Sequence, residues 1–121
     1  VFRHVKFAEL PVIDQDRALR FYTEKLGLSV AVDSAYGPDG RWLEFAIPGA
    51  ATKILVTRRE SPPRSEPAII LVVEDVNDAV ATLKGRGVEF TQEPTRAPWA
   101  ADETFALLRD SEDNIVMLGS A

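Results

Sequence analysis

The sequence predicts an α+β fold built from two βαβββ modules whose eight strands form one curved, mixed sheet. Three observations carry that reading. A short motif occurs twice: Asp14-Gln15-Asp16-Arg17-Ala18-Leu19 returns 61 residues later as Asp75-Val76-Asn77-Asp78-Ala79-Val80. Each copy follows a strand-sized apolar run, residues 5–12 and 68–73. Each opens a helix-period stretch that closes on glycine, at Gly27 and within residues 85–87. An internal repeat constrains architecture before local detail does. Two copies are too few for a stacked solenoid, so residues 1–121 read as a single domain: module 1 over about 1–58, a linker over about 59–67, module 2 over about 68–121.

Taken in order, Val5, Phe7 and Glu9 alternate with His4, Lys6 and Ala8, the period of a strand that ends at Pro11. Asp14 is placed to cap a helix carrying Ala18, Phe21, Tyr22 and Leu26 on one face, and Gly27 stops it. Residues 28–32 read as strand, Pro38-Asp39-Gly40 as a turn, and residues 41–47 as the returning strand. Pro48-Gly49 turns the chain again into a fourth strand, residues 52–57. Three prolines among charged and serine residues mark the linker. Residues 68–73 are strand, and Asp75 or Asn77 caps a helix burying Val76, Ala79, Val80 and Leu83. Residues 88–90 read as a short strand and 93–101, with two prolines and Trp99, as an irregular loop. Residues 104–109 and 114–118 close the module as a hairpin around Asp110-Ser111-Glu112-Asp113.

Composition narrows the function classes. An apolar fraction of 45% is that of a globular domain, and no apolar run approaches the length of a membrane span. The chain shows no basic-then-apolar leader and has no cysteine, so a cytoplasmic protein without disulfide or thiolate chemistry is expected. A net charge of −5 disfavours nucleic acid and anionic membranes and is compatible with a cationic ligand, although solubility alone accounts for it.

Three segments carry a family resemblance. Pro11-Val12-Ile13-Asp14 through Ala18-Leu19-Arg20-Phe21-Tyr22 to Leu26-Gly27-Leu28 resembles the first-half signature of the glyoxalase/bleomycin-resistance/dioxygenase (vicinal oxygen chelate) superfamily. Val73-Glu74-Asp75-Val76 with Gly87-Val88 resembles the second-half segment. Phe105 through Asp110-Ser111-Glu112-Asp113-Asn114 resembles the closing strand–acidic turn–strand. The resemblance implies the two-module fold over essentially the whole chain, but fold alone names no reaction.

Metal-using members of that family present His or Gln, Glu, His and Glu on four strands, where a divalent ion holds two substrate oxygens. The resemblance places those positions at Phe7, Ala68, Met117 and either Ile54 or Leu55. None offers the oxygen or imidazole ligand such a metal needs, so no metal ligand is assigned. The only histidine, His4, lies an odd number of positions from Phe7 and so falls on the opposite strand face. Glu9 shares the Phe7 face and Glu44 neighbours Trp42; both are candidates for acid–base or metal work, with a solvated or ion-paired carboxylate as the plainer reading.

Apolar residues at the ligand positions describe a cavity suited to an organic molecule. Phe7, Glu9, Trp42, Leu55, Trp99 and Met117 are its candidate lining, the tryptophans supplying faces for flat or cationic groups. A core or interface role serves either tryptophan equally well. Metal-free relatives include antibiotic-binding resistance proteins, usually dimers with the ligand at the subunit interface. The resulting reading is a metal-free, cofactor-free homodimer binding an aromatic or cationic small molecule. One alternative is a glyoxalase-like lyase, isomerase or dioxygenase with a non-standard metal site at Glu9 or Glu44. The other is a structural or regulatory dimer whose cavity is filled.

Overall fold

The computed structural model describes residues 1–121. The elements run β1 (Phe7–Val12), α1 (Gln15–Arg20), β2 (Ser29–Tyr36), β3 (Gly40–Ala46), β4 (Lys53–Arg58), β5 (Ile69–Val72), α2 (Val76–Gly85), β6 (Glu89–Arg96), β7 (Thr104–Arg109) and β8 (Ile115–Gly119). Both halves are therefore βαβββ. The chain divides into two compact units, Val1–Pro62 and Pro63–Ala121, and the division falls between two prolines of the expected linker. The eight expected strands are present. Their hydrogen bonding stays within each unit, as a four-stranded mixed sheet ordered β1-β4-β3-β2 in the first and β5-β8-β7-β6 in the second. No helix is long and apolar enough to cross a membrane.

The repeated motif has a repeated cause. Asp14 accepts a hydrogen bond from the backbone N–H of Arg17 at 3.0 Å, and Asp75 from that of Asp78 at 2.9 Å. Each carboxylate satisfies an amide that the first helical turn leaves without a partner. At the other end Gly27 and Gly87 have φ of 77° and 85°, a region that a Cβ disfavours. Helix α1 widens into a π-type turn over Phe21–Lys25, where the N–H of Leu26 bonds the carbonyl of Phe21.

Each unit buries one face of its sheet. In the first, Leu10, Val12, Leu43, Phe45, Ile54 and Val56 are buried with Ala18 and Tyr22 of the helical segment. Tyr22 stacks on Phe45 with centroids 5.4 Å apart, and Gln15 donates to the Val56 carbonyl at 3.1 Å, so the helical segment is held on β3 and β4. In the second, Ile69, Ala106, Leu108, Val116 and Leu118 are buried with Val76 and Val80 of α2. Strand pairs β1/β4 and β5/β8 are parallel and the rest antiparallel. A parallel pair needs a long crossover, which in each unit is the helix plus a hairpin.

Several boundaries differ from the sequence expectation. Strand β1 begins at Phe7, so His4 and Val5 lie ahead of it and the alternation argument does not reach His4. The strand expected at 28–32 runs Ser29–Tyr36, and the one expected at 88–90 runs Glu89–Arg96. Both are edge strands. All of β2 is exposed, so polar residues such as Asp33 and Ser34 fit it, and β6 accommodates Pro94 because an edge position needs no second ladder bond. Both carry a bulge at matching places, Val30/Val32 and Phe90/Gln92. The irregular loop around Trp99 thus shrinks to residues 97–103.

Candidate ligand-binding site

The face of the first sheet opposite its core holds five of the expected site residues. Along β1, Leu10 and Val12 are buried, which turns Phe7 and Glu9 to the other side; along β4, buried Ile54 and Val56 do the same for Leu55. Ile54 is therefore excluded as the fourth-strand position and Leu55 takes it. On β3, buried Leu43 and Phe45 leave Trp42 and Glu44 on this face. Register aligns Glu9 with Leu55, Leu55 with Glu44 and Glu44 with Val32, giving one row across four strands. Phe7 and Trp42 come from rows on either side of it, yet their rings meet edge to face at 6.1 Å and 74°. The indole N–H of Trp42 donates to Glu44 Oε2 at 2.6 Å, and Tyr36 leans on Trp42 at 5.5 Å.

The equivalent face of the second sheet is apolar. Its corresponding row is Ile70, Met117, Leu107 and Gln92. Beside it, Val72, Gly119 and Phe105 align, and Trp99 lies over Phe105 at 5.1 Å and 40°. An open recess of about 420 Å³ is lined here by Ile70, Val72, Trp99, Phe105 and Met117, with Glu103, Thr104 and Ser120 at its polar edge. Those polar groups are hydrogen-bonded: Trp99 Nε1 donates to Glu103 at 2.9 Å and the Thr104 N–H to Ser120 Oγ at 3.0 Å. Ile70, Val72 and Trp99 are 60%, 67% and 58% exposed, unusual for side chains so apolar.

Trp99 and Met117 are thus brought together in the second unit, and Phe7, Glu9, Trp42, Glu44 and Leu55 in the first. Sequence reasoning missed Ile70, Val72, Glu103 and Phe105. Ile70 was legible: it follows Ala68 by two positions and stands to Asp75 as Glu9 stands to Asp14. Phe105 shares strand parity with Leu107, but which parity faced outward needed the burial of Ala106 and Leu108.

A family metal fits poorly. Phe7, Leu55, Ala68 and Met117 present no oxygen or nitrogen donor, and no three His, Cys, Asp or Glu side chains are grouped to hold an ion. Elsewhere in the first unit Arg41 spans Asp16 at 2.5 Å and Asp33 at 2.8 Å, bordering a polar groove with Asp14, Gln15, Arg17 and Arg58. Its hydrogen bond holds the Asp33 carboxyl below the usual range, and the two aspartates push the guanidinium upward. That network ties β2 and β3 to α1.

Comparison with known proteins decides the family. Residues 2–118 match the profile of the Glyoxalase/Bleomycin resistance protein/Dioxygenase superfamily. The chain belongs to that superfamily. The uncharacterized proteins YetH and YurT of Bacillus subtilis (strain 168) are each 34% identical to it, over 110 and 119 residues. Those alignments cover 88% of this chain and 89% and 91% of the relatives. Among solved structures, UcmS2 matches with a TM-score of 0.85 at 28% identity, over 100% of both chains. TnmS3, an antibiotic binding protein from Streptomyces sp. CB03234, matches with a TM-score of 0.80 at 30% identity, over 98% of this chain and 96% of its own.

Proposed function

We propose that this protein binds a small, flat aromatic molecule without a metal or other cofactor, seating it in the recess formed by Ile70, Val72, Trp99, Phe105 and Met117. The observation that carries the reading is the lining itself. Five apolar side chains from three strands and a turn surround an open concavity, and the polar groups at its rim are already hydrogen-bonded. A small-molecule site has this character, an apolar wall with a few fixed polar groups. The indole is held by Glu103 and Phe105, so a ligand that stacks on it loses little ring entropy. The family relation supports the reading, since TnmS3 is an antibiotic binding protein.

Apolar burial at about 25 cal/mol per Å², reduced by association costs, leads to micromolar affinity. A panel of fused-ring aromatics screened by thermal shift and tryptophan fluorescence tests the proposal. A true ligand at about 100 times its Kd adds about 2.7 kcal/mol, several degrees of melting temperature for a chain this size. A panel that neither shifts melting nor quenches fluorescence refutes it.

A further inference from the structure

Met117 holds the only sulfur atom in the chain, which has one methionine and no cysteine. An oxidant that reacts with sulfur therefore meets it at a single place, and that place lines the recess of the second unit. Strand β8 lies between β5 and β7, so the Met117 backbone is paired on both sides. Buried Val116 and Leu118 flank it, which turns its side chain onto the recess face between Ile70 and Leu107. The next residue of β8 on that face is Gly119, where a Cβ would have no neighbour within 4 Å. The thioether is thus only half-buried, with open space on one side of it.

Methionine sulfur is polarizable and nucleophilic, and a hydroperoxide converts it to the sulfoxide. In that step sulfur donates a lone pair to one peroxide oxygen as the O–O bond breaks. That oxygen stays on sulfur, its proton passing to the other, which leaves as water or an alcohol. Sulfur loses two electrons and the peroxide gains them. The product matters for binding because three donors at the edge of the recess are already committed. The Trp99 N–H goes to Glu103, the Thr104 N–H to Ser120 Oγ, and the Ser120 hydroxyl to the Thr104 carbonyl. Water satisfies the sulfoxide oxygen while the recess is open. A flat ligand seated over it strips that water and leaves a polar oxygen without a partner. The fold is spared, since Val116 and Leu118, not Met117, point into the core.

We propose that Met117 is an oxidation site that controls the recess: a hydroperoxide converts its thioether to the sulfoxide, and the bound aromatic molecule is released. This rests on the reading that the recess holds such a molecule, and it assigns that site its regulation. The probe is acridine, a flat ring neutral at pH 8, titrated into the full chain by isothermal titration calorimetry before and after treatment with hydrogen peroxide. Treatment continues until the intact mass shows one added oxygen, and peptide mapping places that oxygen on Met117. The oxidised protein melts cooperatively and binds acridine about tenfold more weakly. The two methionine sulfoxide reductases, one for each epimer, restore the affinity with a dithiol, which becomes a disulfide as the oxygen leaves as water. Saturating acridine slows the oxidation of Met117. Met117→Leu has no sulfur, and its Kd, whatever its value, is the same before and after peroxide. A Kd that moves less than about twofold in protein fully oxidised at Met117 overturns the inference and leaves the recess standing. So does peroxide that leaves Met117 unmodified, a cooperative melt lost on oxidation, or a Met117→Leu variant that peroxide weakens equally. Failure of acridine to bind the untreated protein overturns the inference together with the reading beneath it.

Discussion

Replacing Trp99 by alanine separates ligand recognition from folding. Trp99 is 58% exposed, so of the roughly 250 Å² a tryptophan offers, about 140 Å² is open to a ligand. A flat molecule laid on one ring face covers about half of that, and about 70 Å² at 25 cal/mol per Å² is worth about 1.8 kcal/mol. Trp99→Ala should then weaken acridine binding about 20-fold. The structural loss is smaller. The ring packs on Phe105 at 5.1 Å, and its N–H meets a half-buried Glu103. Truncation costs stability on the order of 1–2 kcal/mol, and the chain stays folded. Calorimetric titration gives the affinity, and a circular dichroism melt shows the fold intact. A Kd within about twofold of the unaltered protein, from a variant that melts cooperatively, would refute the placement of the ligand on Trp99.

The remaining predictions concern the fold and the metal content. Asp75→Ala removes the cap on the Asp78 amide and lowers stability by about 1 kcal/mol in urea melts, with the m-value unchanged. Arg41→Gln removes the partner that lowers the Asp33 carboxyl. A lowered folded value means stability that is present at neutral pH and lost as pH falls through the acidic side of the ordinary aspartate range. The unaltered protein should thus exceed the variant by less than about 1 kcal/mol at pH 7, with the difference fading in acid and in high salt. Elemental analysis of native protein is expected to find zinc, nickel, manganese and iron well below one ion per chain, and one tightly held ion lost to chelator together with ligand binding would reverse that expectation.

Much of the fold could be read from particular residues. Asp14 and Asp75 cap helices, and Gly27 and Gly87 take positive φ, because those are local requirements that a side chain meets or fails within a few positions. Strand parity likewise placed Phe7 with Glu9. Edge strands were harder. Asp33–Tyr36 and Glu93–Arg96 look like loop because polar residues and Pro94 interrupt the apolar period, yet an edge strand exposed to solvent has no need of that period. The candidate site was half visible. Trp99 stood out as a residue type and Met117 through the family resemblance, whereas Glu44's burial beside Trp42 and the exposure of Ile70 and Val72 depend on which sheet face each strand presents. Register sets that, and register follows from pairings between residues far apart in sequence.

Met117 is the only methionine in the chain and lines the proposed recess. Protein labelled with ¹³C at the methionine methyl therefore reports on that recess through the Met117 resonance. Titrated with acridine at pH 8, this signal should move by the ring current of a stacked aromatic, saturate on the same curve as the calorimetric isotherm, and lose most of that response in Trp99→Ala. A Met117 resonance that stays fixed while acridine binds would place the ligand elsewhere and contradict the account.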